Sequence, residues 1–139
     1  MAKILIADDS ALILTMLESS LTPLGHQVIK VSDGYSVIPE VNKHKPDLIV
    51  LDYQMPAASG VEVYGRLRSL ATSETIPVIF LSATSPYELQ YVIPEGPLVR
   101  FFQKPVNLPD FQAAVAEILA PKTATPPAAP PSSAPPPSF

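Results

Sequence analysis

The stretch DLIVLDYQMP at residues 47–56 decides the fold. Leu48-Ile49-Val50-Leu51 is a continuous apolar run, as a strand buried on both faces requires. A carboxylate, Asp52, ends the run, and Met55-Pro56 turns the chain shortly after it. Working outward, Ile4–Ala7 and Val78–Leu81 are runs of the same kind. Gln27–Val31 and Val99–Gln103 are weaker, broken by Lys30 and Arg100. Three buried runs and two interrupted ones predict three central strands flanked by two edge strands.

Between these runs lie helix-start signals. The first helix, about Ser10–Leu21, places Ile13, Leu14, Leu17 and Leu21 on one face. Ser59-Gly60-Val61-Glu62 reads as a capping box. Ser85-Pro86-Tyr87-Glu88 combines a cap, a first-turn proline and a glutamate three residues on. Asn107-Leu108-Pro109-Asp110 opens a last helix with Phe111, Val115, Ile118 and Leu119 on one face. Pro39 falls inside the second helical segment and predicts a short or kinked helix there. Five strand–helix units in this order predict an α/β fold. Its five-stranded parallel sheet has helices on both faces and the flavodoxin-like strand order 2-1-3-4-5.

The chain of 139 residues is 47% hydrophobic, enough for one domain with a substantial core. Its net charge of -4, with no basic run, argues against nucleic acid as a partner. There are no cysteines, which excludes disulfides and thiolate metal sites. No stretch has the apolar length of a secretory signal or a membrane span, so a cytoplasmic protein with no membrane partner is expected. Composition changes at Pro121. Residues 121–139 carry one charge, Lys122, and eight of the chain's 18 prolines. Such a segment cannot bury enough apolar area to offset its ordering entropy. The expected organisation is a domain over residues 1–120 and a disordered proline-rich tail over 121–139, with no output domain. That tail reads as a solvated extension, with a polyproline-reading partner as the alternative.

In a sheet of this order, sites form at the carboxyl ends of the strands. There the sequence places Asp8-Asp9, Asp52, Ser82-Ala83 and Lys104-Pro105, from four different strand ends. Three clustered carboxylates repel one another and call for a hard divalent cation, for which Mg²⁺ is the expected choice. Lys104 adds a second positive charge, and the two together suit an incoming phosphoryl group. Asp52 is the central carboxylate and the expected nucleophile. Mg²⁺ and Lys104 would neutralise charge developing on the transferring oxygens. Ser82 could hydrogen-bond a phosphate oxygen, and the small Ala83 leaves room for the group. Each residue also has a plainer reading. Asp8-Asp9 could cap the first helix, Asp52 could be a turn residue, Ser82 a satisfied loop hydroxyl, Lys104 a solvated lysine and Phe101 a core ring.

Four segments, ILIADDS (4–10), DLIVLDYQMP (47–56), IPVIFLSA (76–83) and FFQKP (101–105), resemble the response-regulator receiver family, the CheY-like domains of two-component signalling. The resemblance implies that Asp52 accepts phosphate from a histidine kinase or a histidine phosphotransfer protein. It implies Mg²⁺ held by Asp9, Asp52 and the carbonyl of Gln54, with Asp8 acting partly through water. It implies Ser82 and Phe101 as a switch pair, and allows a cis bond between Lys104 and Pro105. On this reading the chain is a single-domain response regulator with an unknown downstream target protein. Its only chemistry is the Mg²⁺-dependent self-phosphorylation and self-dephosphorylation of Asp52. The alternative is a phosphorylation-independent adaptor built on the same fold, favoured by Pro86, Pro94 and Pro97 between Ser82 and Lys104. A haloacid-dehalogenase-type phosphatase needs a second aspartate where Gln54 stands. A nucleotide-binding domain needs a phosphate-cradling first loop, which Asp8-Asp9 would repel.

Overall fold

A computed structural model describes residues 2–55, 59–71, 73–83, 96 and 98–120. The strands are β1 (Lys3–Ala7), β2 (Gln27–Val31), β3 (Leu48–Asp52), β4 (Val78–Ser82) and β5 (Val99–Gln103). The helices are α1 (Ala11–Leu21), α2 (Val37–His44), α3 (Gly60–Ser69) and α4 (Leu108–Leu119), with a 3-10 turn at Thr22–Leu24. All neighbouring strands pair in parallel, in the order β2-β1-β3-β4-β5. The sheet is the one expected from the apolar runs. The helix expected from Ser85 and the proline-rich tail lie outside the described residues.

Every residue of β3 and β4 is buried, whereas β2 and β5 expose residues along their length. That difference is the physical content of the interrupted runs. Lys30 of β2 points to solvent and pairs with Glu18 of α1 at 2.8 Å. Arg100 of β5 pairs with Glu117 of α4. Exposed pairs of this kind add little stability. They let edge strands carry charge at no burial cost.

The sheet divides the core in two. Leu5, Ile49, Leu51, Val78, Phe80 and Phe101 face α2 and α3. Ile4, Ile6, Leu48, Val50, Ile79 and Leu81 face α1 and α4. Alternate residues of each strand serve opposite cores, which is why the runs are apolar throughout. In α1, Leu14, Leu17 and Leu21 are buried and Ile13 packs at the edge of that core. Each such burial contributes about 1.5–3 kcal/mol.

Local signals set the helix ends. Ser10 caps α1, its Oγ accepting from the Ile13 N–H at 3.3 Å. Ser59 and Glu62 form the reciprocal capping box of α3. Asn107 caps α4 through the Asp110 N–H at 3.0 Å. The second helix is short, at eight residues, and Pro39 stands in its first turn. A proline there loses no intrahelical hydrogen bond, because first-turn N–H groups have no partner within the helix.

Candidate functional site

Parallel pairing brings the carboxyl ends of β1, β3, β4 and β5 to one edge of the sheet, and four segments deliver their polar residues there. Asp8 follows β1, and its N–H continues the ladder by donating to the Val31 carbonyl at 3.0 Å. Its side chain is fully buried, and Oδ1 accepts from the Ser10 N–H at 2.9 Å. The capping role open to Asp8-Asp9 thus falls to Ser10, with Asp8 bracing the cap residue. Asp9, next in sequence, is exposed and lines the mouth of the site.

Asp52 ends β3, almost wholly buried, with Oδ1 accepting from the Gln54 N–H at 3.2 Å. Carboxylate oxygens of Asp8, Asp9 and Asp52 all lie within 4.8 Å of one another. Ser82 ends β4 and is buried, and its carbonyl accepts from the Lys104 N–H at 2.7 Å. That bond extends the β4–β5 ladder past the strand and aims the lysine back over the sheet edge. The Lys104–Pro105 bond is cis. Lys104 Nζ sits 3.0 Å from Asp8 Oδ2 and 3.4 Å from Asp52 Oδ1.

An open cavity of about 410 Å³ covers this edge, lined by Asp9, Asp52, Gln54, Met55, Ser82, Ala83 and Lys104. The sequence places eight residues at the site. Six of them line the cavity, Asp8 lies behind its floor, and Phe101 lies in the layer beneath. Met55 is an addition that the sequence reading did not include. Its position three residues after the strand-ending Asp52 was the available signal.

Gly60 fixes the approach of α3 to this edge. A Cβ there would stand 2.7 Å from the Asp52 carbonyl oxygen and 2.9 Å from the Tyr53 Cα. Only glycine lets the helix start so close to the strand end.

The electrostatics follow from the packing. Burial and the charge of Asp8 raise the Asp52 carboxyl from 3.8 to about 6, against the opposing pull of the Gln54 N–H and Lys104. Burial lowers Lys104, but its close contact with Asp8 and the charges of Asp8 and Asp52 outweigh that and leave it raised. The lysine is therefore a fixed cation. Asp8 Oδ2 faces it as an ion-pair partner, without the alignment of a hydrogen bond, and no donor among the described residues satisfies that buried oxygen. A buried carboxylate oxygen lacking a donor, within a cluster of three carboxylates, fits a hard divalent cation with oxygen ligands.

A family model for the response regulator receiver domain matches residues 4–116, and the chain belongs to that family. It is 32% identical over 124 residues to the transcriptional regulatory protein KdpE of Mycobacterium tuberculosis, covering 89% of this chain and 54% of KdpE. It is 29% identical over 121 residues to sporulation initiation phosphotransferase F of Bacillus subtilis, covering 87% of this chain and 96% of that protein. The chemotaxis response regulator CheY4 of Vibrio cholerae superposes with a TM-score of 0.76 at 28% identity, covering 86% of this chain and 99% of CheY4. The chain spans about half the length of KdpE and of several other transcriptional regulators that it matches. Receiver domains accept phosphoryl groups in two-component signalling and bind Mg²⁺ at an acidic pocket. Among the described residues, no helix is long and apolar enough to cross a membrane.

Proposed function

We propose that Asp52 accepts a phosphoryl group from a phosphohistidine on a kinase or phosphotransfer protein, and that the modified domain then changes its affinity for a target protein. The observation that carries this reading is the Lys104 ammonium lying between Asp8 and Asp52 at the floor of an open acidic cavity.

In the transfer, an Asp52 oxygen forms a bond to phosphorus as the phosphorus–nitrogen bond of the donor breaks. The electron pair of that bond stays with the leaving imidazole. Asp52 Oδ1 is held by the Gln54 N–H and Lys104, which orients the carboxylate and leaves Oδ2 for attack. Lys104 is positioned to balance charge on the phosphoryl oxygens. Ser82 and Ala83 line the same cavity, one offering a hydroxyl to a phosphoryl oxygen and the other leaving space. Asp8, Asp9, Asp52 and the Gln54 carbonyl would hold Mg²⁺, which supplies Lewis-acid stabilisation of the transferring group. Ser82 and Phe101 would carry the resulting change away from the site.

A partner surface adjoins the site. Leu12 and Met16 of α1 are exposed, and with Pro105 and Leu108 they border an apolar groove of about 230 Å³ that reaches Lys104. An amphipathic helix of a phosphodonor seated there would hold its histidine over Asp52. With a net charge of -4, the proposed target is a protein in the cytoplasm rather than nucleic acid.

The test is intact mass after incubation with acetyl phosphate and Mg²⁺, beside Asp52→Asn. One added phosphate in the wild type alone, lost on chelation, is expected. No gain in folded protein would favour the phosphorylation-independent adaptor.

A further inference from the structure

Beneath the cavity, on the α3 side of the sheet, runs a column of aromatic rings that the acceptor chemistry does not use. Phe80 and Phe101 are register partners on β4 and β5, their rings stacked with centroids 5.8 Å apart and planes 28° from parallel. Tyr64 of α3 meets Phe80 edge-on at 5.4 Å. Arg68, one helical turn further on, lies over the Tyr64 ring at 4.7 Å and donates from Nε to the Tyr64 hydroxyl at 3.2 Å.

Arg68 is itself fixed from its other side. Its guanidinium donates to the carbonyls of Ser73 at 3.3 Å, Ile76 at 2.9 Å and Leu98 at 3.1 Å. Ile76 precedes β4 and Leu98 directly precedes β5. The guanidinium therefore ties the end of α3 to the entry of both strands that carry the stacked rings. Its planar fork suits this task, since one group reaches three acceptors. Phe80 lies two residues before Ser82, on the same face of β4, so the column ends directly below the proposed switch hydroxyl.

From these contacts we infer that Tyr64 and Arg68 are positioning residues for Phe101, holding its ring inside the sheet before any phosphate arrives. This rests on the reading of Phe101 as a switch residue. Phe101 is only 9% exposed, its ring turned into the sheet. Swinging outward would cost it the stack on Phe80, and Tyr64, braced by Arg68, blocks Phe80 from following. The two conformations of a switch differ by a few kcal/mol at most, so contacts of this size shift the populations. In this chain the inward ring is favoured before phosphate arrives, and these contacts set how far the switch pair has left to move.

The experiment places 4-fluorophenylalanine at position 101 alone, in the full chain, and compares ¹⁹F spectra in H₂O and D₂O without phosphate. A second protein carries the label at Phe111, which is fully buried in the opposite core. The wild-type 101 signal is expected to show little solvent isotope shift. Tyr64→Leu and Arg68→Gln should raise it roughly two-fold or more, as outward conformers become populated. Tyr64→Phe, which keeps the ring and loses the hydroxyl, should restore most of the protection. The Phe111 signal should stay unchanged throughout. A solvent-exposed wild-type 101 ring would overturn the proposal. So would equal protection in Tyr64→Leu, or a matching change at Phe111, which would mark a general loss of packing. Because no phosphate is present, this outcome is independent of whether Asp52 labels. Failure of labelling would remove the acceptor reading and leave the ring spectra as they are.

Discussion

Lys104 Nζ stands 3.0 Å from Asp8 Oδ2, closer than its 3.4 Å to Asp52 Oδ1, although Asp52 is the carboxylate proposed to react. The lysine leans on the fully buried acid, and the more accessible one keeps an oxygen for chemistry. This also explains why Asp52 remains raised with a cation beside it. Burial and the Asp8 charge outweigh a lysine that Asp8 shares.

Removing that cation leaves two buried carboxylates facing each other. Lys104→Ala should lower metal-free stability by about 2 kcal/mol, a figure reduced from that of a fully buried pair because the lysine is partly exposed. Urea denaturation in EDTA measures it. Labelling by acetyl phosphate should persist at a reduced rate, while binding to a partner no longer responds to it. An unchanged response would remove Lys104 from the proposed role.

The raised Asp52 pKa makes a stability prediction with a definite sign. Its folded-state value of about 6 exceeds the ordinary aspartate value of 3.8, so the folded protein holds the proton more tightly than the unfolded chain. In EDTA, this group makes stability fall as pH rises from about 4 to about 6, with little further loss above that range. Asp52→Asn removes the penalty and should be more stable than wild type at pH 7 by about 1–2 kcal/mol. Equal urea midpoints at pH 7 would contradict the assigned burial of charge.

Mg²⁺ should stabilise the wild-type chain by mass action, by about 2.7 kcal/mol at one hundred times its dissociation constant. Asp9→Asn should weaken that gain most plainly, since Asp9 is exposed and contributes little else to the fold. Thermal unfolding across a Mg²⁺ titration, with Ca²⁺ in parallel, provides the readout. Identical curves for the wild type and Asp9→Asn would exclude Asp9 as a ligand.

Gly60→Ala tests the close approach of α3 to β3. Alanine is the better helix former, by about 1 kcal/mol. Its Cβ, however, would stand 2.7 Å from the Asp52 carbonyl oxygen, a backbone atom that cannot swing aside. The clash should win, with a net cost of about 1–3 kcal/mol and slower labelling of Asp52. A variant as stable as wild type would show that the helix can shift without disturbing the site.

Much of this molecule is legible in the sequence because its signals are local. Leu48–Leu51 and Val78–Leu81 are apolar throughout because both faces of a central strand are buried, and Lys30 and Arg100 mark the edges by the same logic. Ser59 and Glu62 announce a helix start because a capping box spans four residues. The convergence of Asp8, Asp9, Asp52, Ser82 and Lys104 was also readable, since parallel order alone sends every strand's carboxyl end to the same edge.

Tertiary structure decided the rest. Asp8 and Asp9 are adjacent in sequence, yet one is fully buried and the other exposed, because successive side chains leave a strand end in opposite directions. That Lys104 leans on Asp8, that Met55 reaches the cavity and that Pro39 costs its helix nothing depend on where backbones end in space. The Arg68–Tyr64–Phe80–Phe101 column joins one helix to two strands, from Tyr64 to Phe101, with no spacing pattern to announce it. Periodicity records which face of an element is buried. Which side chain meets which is set by strand register and helix approach, and those exist only once the chain has folded.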